Sequence, residues 1–178
     1  MPLTLHAAVI PGFQQLLGAV NGLLDKGEAF VAERNLDEEE FLQSRLVDDM
    51  LPLAYQFKSC WVHTAAALQS LREGQFSPEM TPPPGRLDPL RKMVLDGLSA
   101  CEQMGENELE AMAGNDFLFT IGDRLRLQFT VQDFLLSFTQ PNLYFHAATS
   151  YDIMRMRGVP VGKRDFLGAM RVKQGASG

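Results

Sequence analysis

Apolar residues recur every three or four positions along most of this chain, and that spacing predicts helices. In the first stretch Val9, Phe13, Leu16, Leu17, Val20, Leu24 and Val31 mark one face. Pro11 falls early in it, at a first-turn or kinked position. A second stretch opens on Asp37 and Glu40, spaced like a capping box, and the run Glu38-Glu39-Glu40 suits the positive end of a helix dipole. It continues through Leu46, Met50, Leu53, Phe57, Trp61, Thr64, Leu68 and Leu71, with a bend expected at Pro52. The segment GQFSPEMTPPPGR, Gly74 to Arg86, is a loop by its prolines and glycines, and a stiff connector is expected. A third helix begins where Asp88 can cap and Pro89 takes the first helical position, and it carries Leu90, Val94, Leu98, Cys101, Leu109 and Met112.

The period then changes. In FLFTIGDRLRLQFTV, Phe117, Phe119 and Ile121 share one parity and Leu125, Leu127 and Phe129 another, around a Gly-Asp turn. This predicts a short β-hairpin, which needs a packing partner to be stable. QDFLLSF follows as a short apolar helix continuous with the next element. The last long helix is expected from Pro141 to Gly158, a good C′ residue, with Arg155 and Arg157 at its negative end. Four amphipathic helices with one minor β element predict an all-α fold. The expected architecture is a four-helix bundle with a small hairpin before the last helices, in one domain spanning residues 1–178.

The chain has 178 residues, enough to bury a proper core. Its formal net charge of −6 repels phosphate backbones and anionic lipid, so neither nucleic acid nor a membrane is an expected partner. Arg155, Arg157, Lys163, Arg164, Arg171 and Lys173 form the nearest basic patch and read as dipole complements and solvated charge. No apolar run approaches the ~20 residues that span a bilayer, and MPLTLHAAVIPGF lacks a basic start. A cytoplasmic protein is expected, with Cys60 and Cys101 as buried free thiols.

Chemistry narrows to three histidines, His6, His63 and His146. On an ideal helix, Asn142, Thr149, Ser150, Ile153 and Arg157 lie within about 60° of His146. Asn142, His146, Thr149 and Ser150 make a small or polar stripe where a core helix normally carries Leu or Val, so they are candidate pocket residues. His63 falls roughly 70° to 120° from the apolar centre of its helix, at a seam or on the surface. His6 reads as a capping or packing residue at a helix end. Glu-x-x-His, His-x-x-x-His and G-x-S-x-G are all absent. GVPVGKR follows a helix and has the wrong glycine spacing for a phosphate loop.

The segment FLLSFTQPNLYFHAATSYDIMRMRGVPVGKRDFLG, with VIPGFQQLLGAVNGLLDKGEAF and RLVDDMLPLAYQ, resembles a bacterial domain-of-unknown-function family grouped with the DinB/YfiT-like four-helix bundles. The resemblance implies an antiparallel bundle with one long crossover, often dimeric. It also implies a site where three histidines bind a divalent metal such as zinc or nickel. Counted back from Gly158, His146 matches the second histidine of the last-helix pair, Asn142 stands in place of the first, and His63 matches the one on the second helix. An amide oxygen is a weak ligand for such ions, so a degenerate metal site is expected. The expected function is small-ligand binding or a dimeric interaction protein. The alternative is a metal-dependent, thiol-using transferase or hydrolase. In the tail, Phe166 and Leu167 are expected either to cover the bundle end, leaving Lys163, Arg164 and Asp165 solvated, or to reach a partner subunit.

Overall fold

A computed structural model describes residues 2–173. Helix α1, Leu5–Arg34, is capped by the Thr4 side chain and runs unbroken through Pro11. Asn35 ends it in the left-handed conformation. By length and composition α1 is apolar enough to cross a membrane, contrary to the sequence expectation, because counting continuous apolar runs overlooks a long helix with a few interruptions. Half of that window is buried, and Val9, Phe13, Leu17, Val20, Leu23 and Leu24 lie in the core.

The second helical stretch divides. Asp37 caps α2, Glu38–Leu42, with Oδ1 accepting from the Glu40 amide at 2.7 Å. Residues 43–52 are not helical, and α3, Leu53–Trp61, starts afresh after Pro52. Pro52 is therefore an N-cap and not a bend: the residue before a proline is driven out of helical geometry. Beyond α3 the rod passes through a π turn, Val62–Ala66, into α4, Ala67–Ser70, and a 3₁₀ turn, Leu71–Glu73.

The third stretch also divides, into α5, Leu87–Gln103, and α6, Glu106–Met112, with Gly105 between them. Arg86, not Asp88, is the N-cap of α5, and the Leu87 amide donates to Glu38 of α2. An acidic side chain from elsewhere thus does the capping that the sequence assigned locally. His6 stitches α1 to this region, with Nε2 3.0 Å from the Met104 carbonyl and its amide donating to Glu110 at 2.8 Å.

The hairpin forms as the alternation predicts. Strands β2, Asp116–Ile121, and β3, Leu125–Thr130, pair antiparallel with Phe117 opposite Phe129 and Phe119 opposite Leu127. A two-residue strand at the start of the proline-rich segment, β1, Gln75–Phe76, adds in parallel to β2. The sheet's partner is aromatic. Phe134 sits 4.3 Å from Phe117, 6.1 Å from Phe76 and 5.7 Å from Phe138, centroid to centroid.

The final rod is continuous: α7, Val131–Asp133, a π turn, Phe134–Thr139, and α8, Gln140–Met156. Pro141 follows directly on this π turn, at the start of α8. Gly158 closes the rod with φ +87°. The main helix contacts run α1 to α5, α5 to α3, α3 to α8 and α8 to α1, closing a four-rod bundle.

The short α9, Lys163–Leu167, docks on α1 of its own chain. Gln15 donates to the Leu167 carbonyl at 2.8 Å, and Phe166 meets Tyr151 edge-on at 6.0 Å. Asp165 is not merely solvated. It accepts from the Gly162 amide at 2.7 Å and pairs with Lys26 at 2.8 Å, and Lys26 followed by the Gly162 amide holds its carboxyl below the usual range.

The close approach of α5 to the first π turn needs a glycine. A Cβ on Gly97 would lie 2.7 Å from Thr64 Oγ1 and 3.0 Å from Leu17 Cδ1. Thr64 cannot yield freely, because its hydroxyl donates to the Cys60 carbonyl at 2.6 Å. Gly97→Ala is therefore expected to lower stability by about 1–3 kcal/mol, despite alanine's advantage of about 1 kcal/mol in a helix. Urea denaturation measures this, and an unchanged midpoint would mean the π turn can move aside.

Candidate functional site

The two π turns bring the site together. His63 lies in the first, with φ −89° and ψ 15°, outside helical geometry. Residues in a π turn advance through less than the 100° of an α-helix, so His63 swings from the seam expected on ideal geometry to a buried position. There its ring stacks on His146 of α8, with centroids 5.6 Å apart and planes 13° apart. Phe138, from the second π turn, meets His63 edge-on at 5.8 Å. Asn142 follows one turn later, its amide nitrogen donating to the Phe138 carbonyl at 2.7 Å, which leaves its oxygen as an acceptor.

These groups wall a cavity of about 230 Å³. Val62, Phe119, Ile121 and Phe138 supply apolar surface, Tyr55 and Ser59 hydroxyls, and residues 78–81 of the proline-rich loop one side. His63, His146 and Asn142 all line it. Thr149 and Ser150 do not. Both are buried further along α8, and Ser150 donates to the Ala147 carbonyl at 2.8 Å. The cavity ends near His146, because beyond it α8 packs into the bundle interior.

Neighbours determine which nitrogen of His146 carries the proton. Gln56 is buried, and its amide nitrogen donates to the Leu51 carbonyl at 2.8 Å. Its oxygen must then accept from His146 Nδ1, 2.8 Å away, and the lone pair remains on Nε2. His63 Nδ1 is buried with no partner. Burial, then the charge of a protonated His146, pushes His63 down to about 3; burial pushes His146 down to about 4. Both rings are neutral at pH 7.

The sequence reading missed Lys58. On an ideal helix it sits about 100° from Phe57, off the apolar face, yet its side chain is only 4% exposed. The loop folds over it: Lys58 Nζ donates to Glu79 Oε1 at 3.0 Å, to the Thr81 carbonyl at 2.7 Å and to the Thr81 hydroxyl at 2.9 Å. The available signal was a lone full charge in LAYQFKSCWVH, whose other residues carry none at pH 7.

The residues present do not fit a catalytic zinc. Such an ion takes three strong protein ligands with nitrogens about 2.0–2.1 Å away. Among the described residues, no three His, Cys, Asp or Glu side chains cluster to hold a metal. A ring lone pair lies in its ring plane, so two stacked, nearly parallel imidazoles do not converge on one point. The thiols offer no substitute, since Cys60 and Cys101 are buried and neither lines the cavity.

The family described as Domain of unknown function (DUF1993) matches residues 5–167. Among solved structures, the crystal structure of a DinB family member protein from Shewanella denitrificans at 1.83 Å resolution is similar, with a TM-score of 0.76 and 30% sequence identity, over 95% of this chain and 94% of that one. No curated protein matches the chain.

Proposed function

The chain belongs to the DUF1993 family, within the DinB-like superfamily, and from that premise we propose that it binds a small organic ligand in the cavity beside His63 and His146. One observation carries the reading. His63 lines the cavity, and its Nδ1 is a buried polar atom without a partner among the described residues. An unsatisfied buried group of this kind costs about 1–3 kcal/mol, which a ligand with one hydrogen-bonding group recovers on binding. Neutral imidazoles, an amide oxygen and an aromatic wall together suit a small, partly apolar molecule.

The homodimer implied by the family resemblance belongs to the same proposal. The contacts of α9 with α1 support a reading in which Asp165 and Phe166 brace the bundle of their own chain while Lys163 stays exposed.

The competing metal reading is separable. Purified protein is expected to hold zinc or nickel well below one equivalent. Asn142→His restores a third imidazole one turn from His146 and is expected to raise zinc affinity by about tenfold or more, since each added strong ligand contributes at least about 1.4 kcal/mol. Native metal analysis and zinc titration of both proteins decide. One equivalent of zinc in the natural chain, lost in His146→Ala, would overturn the ligand reading in favour of a metalloenzyme. Imidazole resonances followed during a small-molecule screen supply the positive test: hits are expected to move both His63 and His146.

A further inference from the structure

Among the described residues, Lys58 is the only cation on the cavity wall and Glu79 the only anion. The two are unequally placed. Lys58 is 4% exposed and anchored in the middle of α3, whereas Glu79 is 53% exposed on a loop with no regular structure. A buried ammonium needs a counter-charge, because an unpaired one costs several kcal/mol. Here the loop supplies it from the solvent side. Once another anion takes its place Glu79 can return to water at little cost, whereas Lys58 cannot.

We infer that the cavity takes a small monocarboxylate, whose carboxylate replaces that of Glu79 on Lys58 while its apolar body lies against Val62, Phe119 and Phe138. This rests on the ligand-binding reading above and adds the chemical class. The charge count favours one negative charge over two. With Glu79 displaced, Lys58 neutralises a carboxylate completely but leaves the second charge of a phosphate uncompensated among neutral histidines. Glu79 is then an internal stand-in, holding the lysine paired and residues 78–81 closed over the cavity until an external acid competes. Exchanging one carboxylate for another keeps the number of buried charges constant, so most of the gain comes from the apolar body of the ligand.

Benzoate and its neutral isostere benzamide test this by calorimetric titration, with imidazole resonances reporting the location. Lys58→Met keeps the stem's volume and removes the charge, and apolar replacement of a buried pair is commonly tolerated. Glu79→Gln removes the competitor. Benzoate is expected to bind the natural chain, at least about tenfold more tightly to Glu79→Gln and at least about tenfold more weakly to Lys58→Met. Benzamide is expected to be indifferent to both changes, and inorganic phosphate to bind worse than benzoate. Benzoate should also raise the melting temperature of Glu79→Gln more than that of the natural chain, which keeps the test valid if Lys58→Met folds poorly. Benzamide binding at His63 and His146 without any preference for benzoate would overturn this inference and leave the ligand reading standing. Failure of both compounds to move either imidazole would remove the two together.

Discussion

Truncating Phe134 to alanine is expected to lower the unfolding free energy by about 3–5 kcal/mol, the usual cost of deleting a buried aromatic ring. Phe134 is completely buried in the second π turn, where helix and sheet meet. Its ring lies 4.3 Å from Phe117, 5.7 Å from Phe138, 5.9 Å from Phe129, 6.1 Å from Phe76 and 6.4 Å from Phe119. All three strands therefore lose their common contact at once. A small sheet has little independent stability, so the vacated space cannot be closed by a rigid neighbour. Domains of this size have only about 5–15 kcal/mol in total, and the loss is a large fraction of it. Phe119 and Phe138 also wall the cavity, so ligand binding should weaken in parallel. Phe134→Leu fills most of the volume and should recover most of the stability. Urea midpoints at constant m-value measure both. A Phe134→Ala protein within about 1 kcal/mol of the natural chain would show that the sheet is not held by this cluster.

Acidification is expected to produce the second large effect. In the unfolded chain both imidazoles protonate near 6.5. In the fold, burial holds His63 to about 3 and His146 to about 4. Between those values the unfolded chain binds more protons, so stability rises with pH across the window. The contribution is complete above about pH 6.5 and is lost progressively as pH falls towards 4 and then 3. At about 1.4 kcal/mol per pH unit for each ring, the loss on reaching pH 4 is on the order of 6 kcal/mol. Replacing His63 by phenylalanine should roughly halve the slope between pH 6.5 and 4. Unfolding free energies at several pH values, with imidazole resonances followed in the native state, provide the measurement. Either ring titrating near 6.5 while the protein stays folded would contradict the burial described here.

Much of the fold is written in short stretches of chain. Alternating Phe117, Phe119 and Ile121 against Leu125, Leu127 and Phe129 specifies a hairpin, because a pleated strand turns successive side chains to opposite faces. Gly158 ends the last rod because its backbone takes a positive φ without strain. The helix boundaries read from the same local rules were less complete. The break at residues 43–52 and the capping of α5 by Glu38 depend on residues brought from other elements.

The site follows the same division. Helical counting places His146 and Asn142 on one face of α8, and both line the cavity. Thr149 and Ser150 share that face yet point into packed interior, since a stripe on a helix says nothing of where the neighbouring rods diverge. His63 turns inward through a π turn, whose altered rotation no regular period anticipates. Lys58, off the apolar face by any count, is buried because residues 78–81 fold across it from twenty or more positions away. Periodicity reports the geometry of one segment at a time. Burial, proton occupancy and the pairing of charge belong to groups that meet in space, so the rods can be read from the chain and the chemistry of the cavity needs the packed bundle.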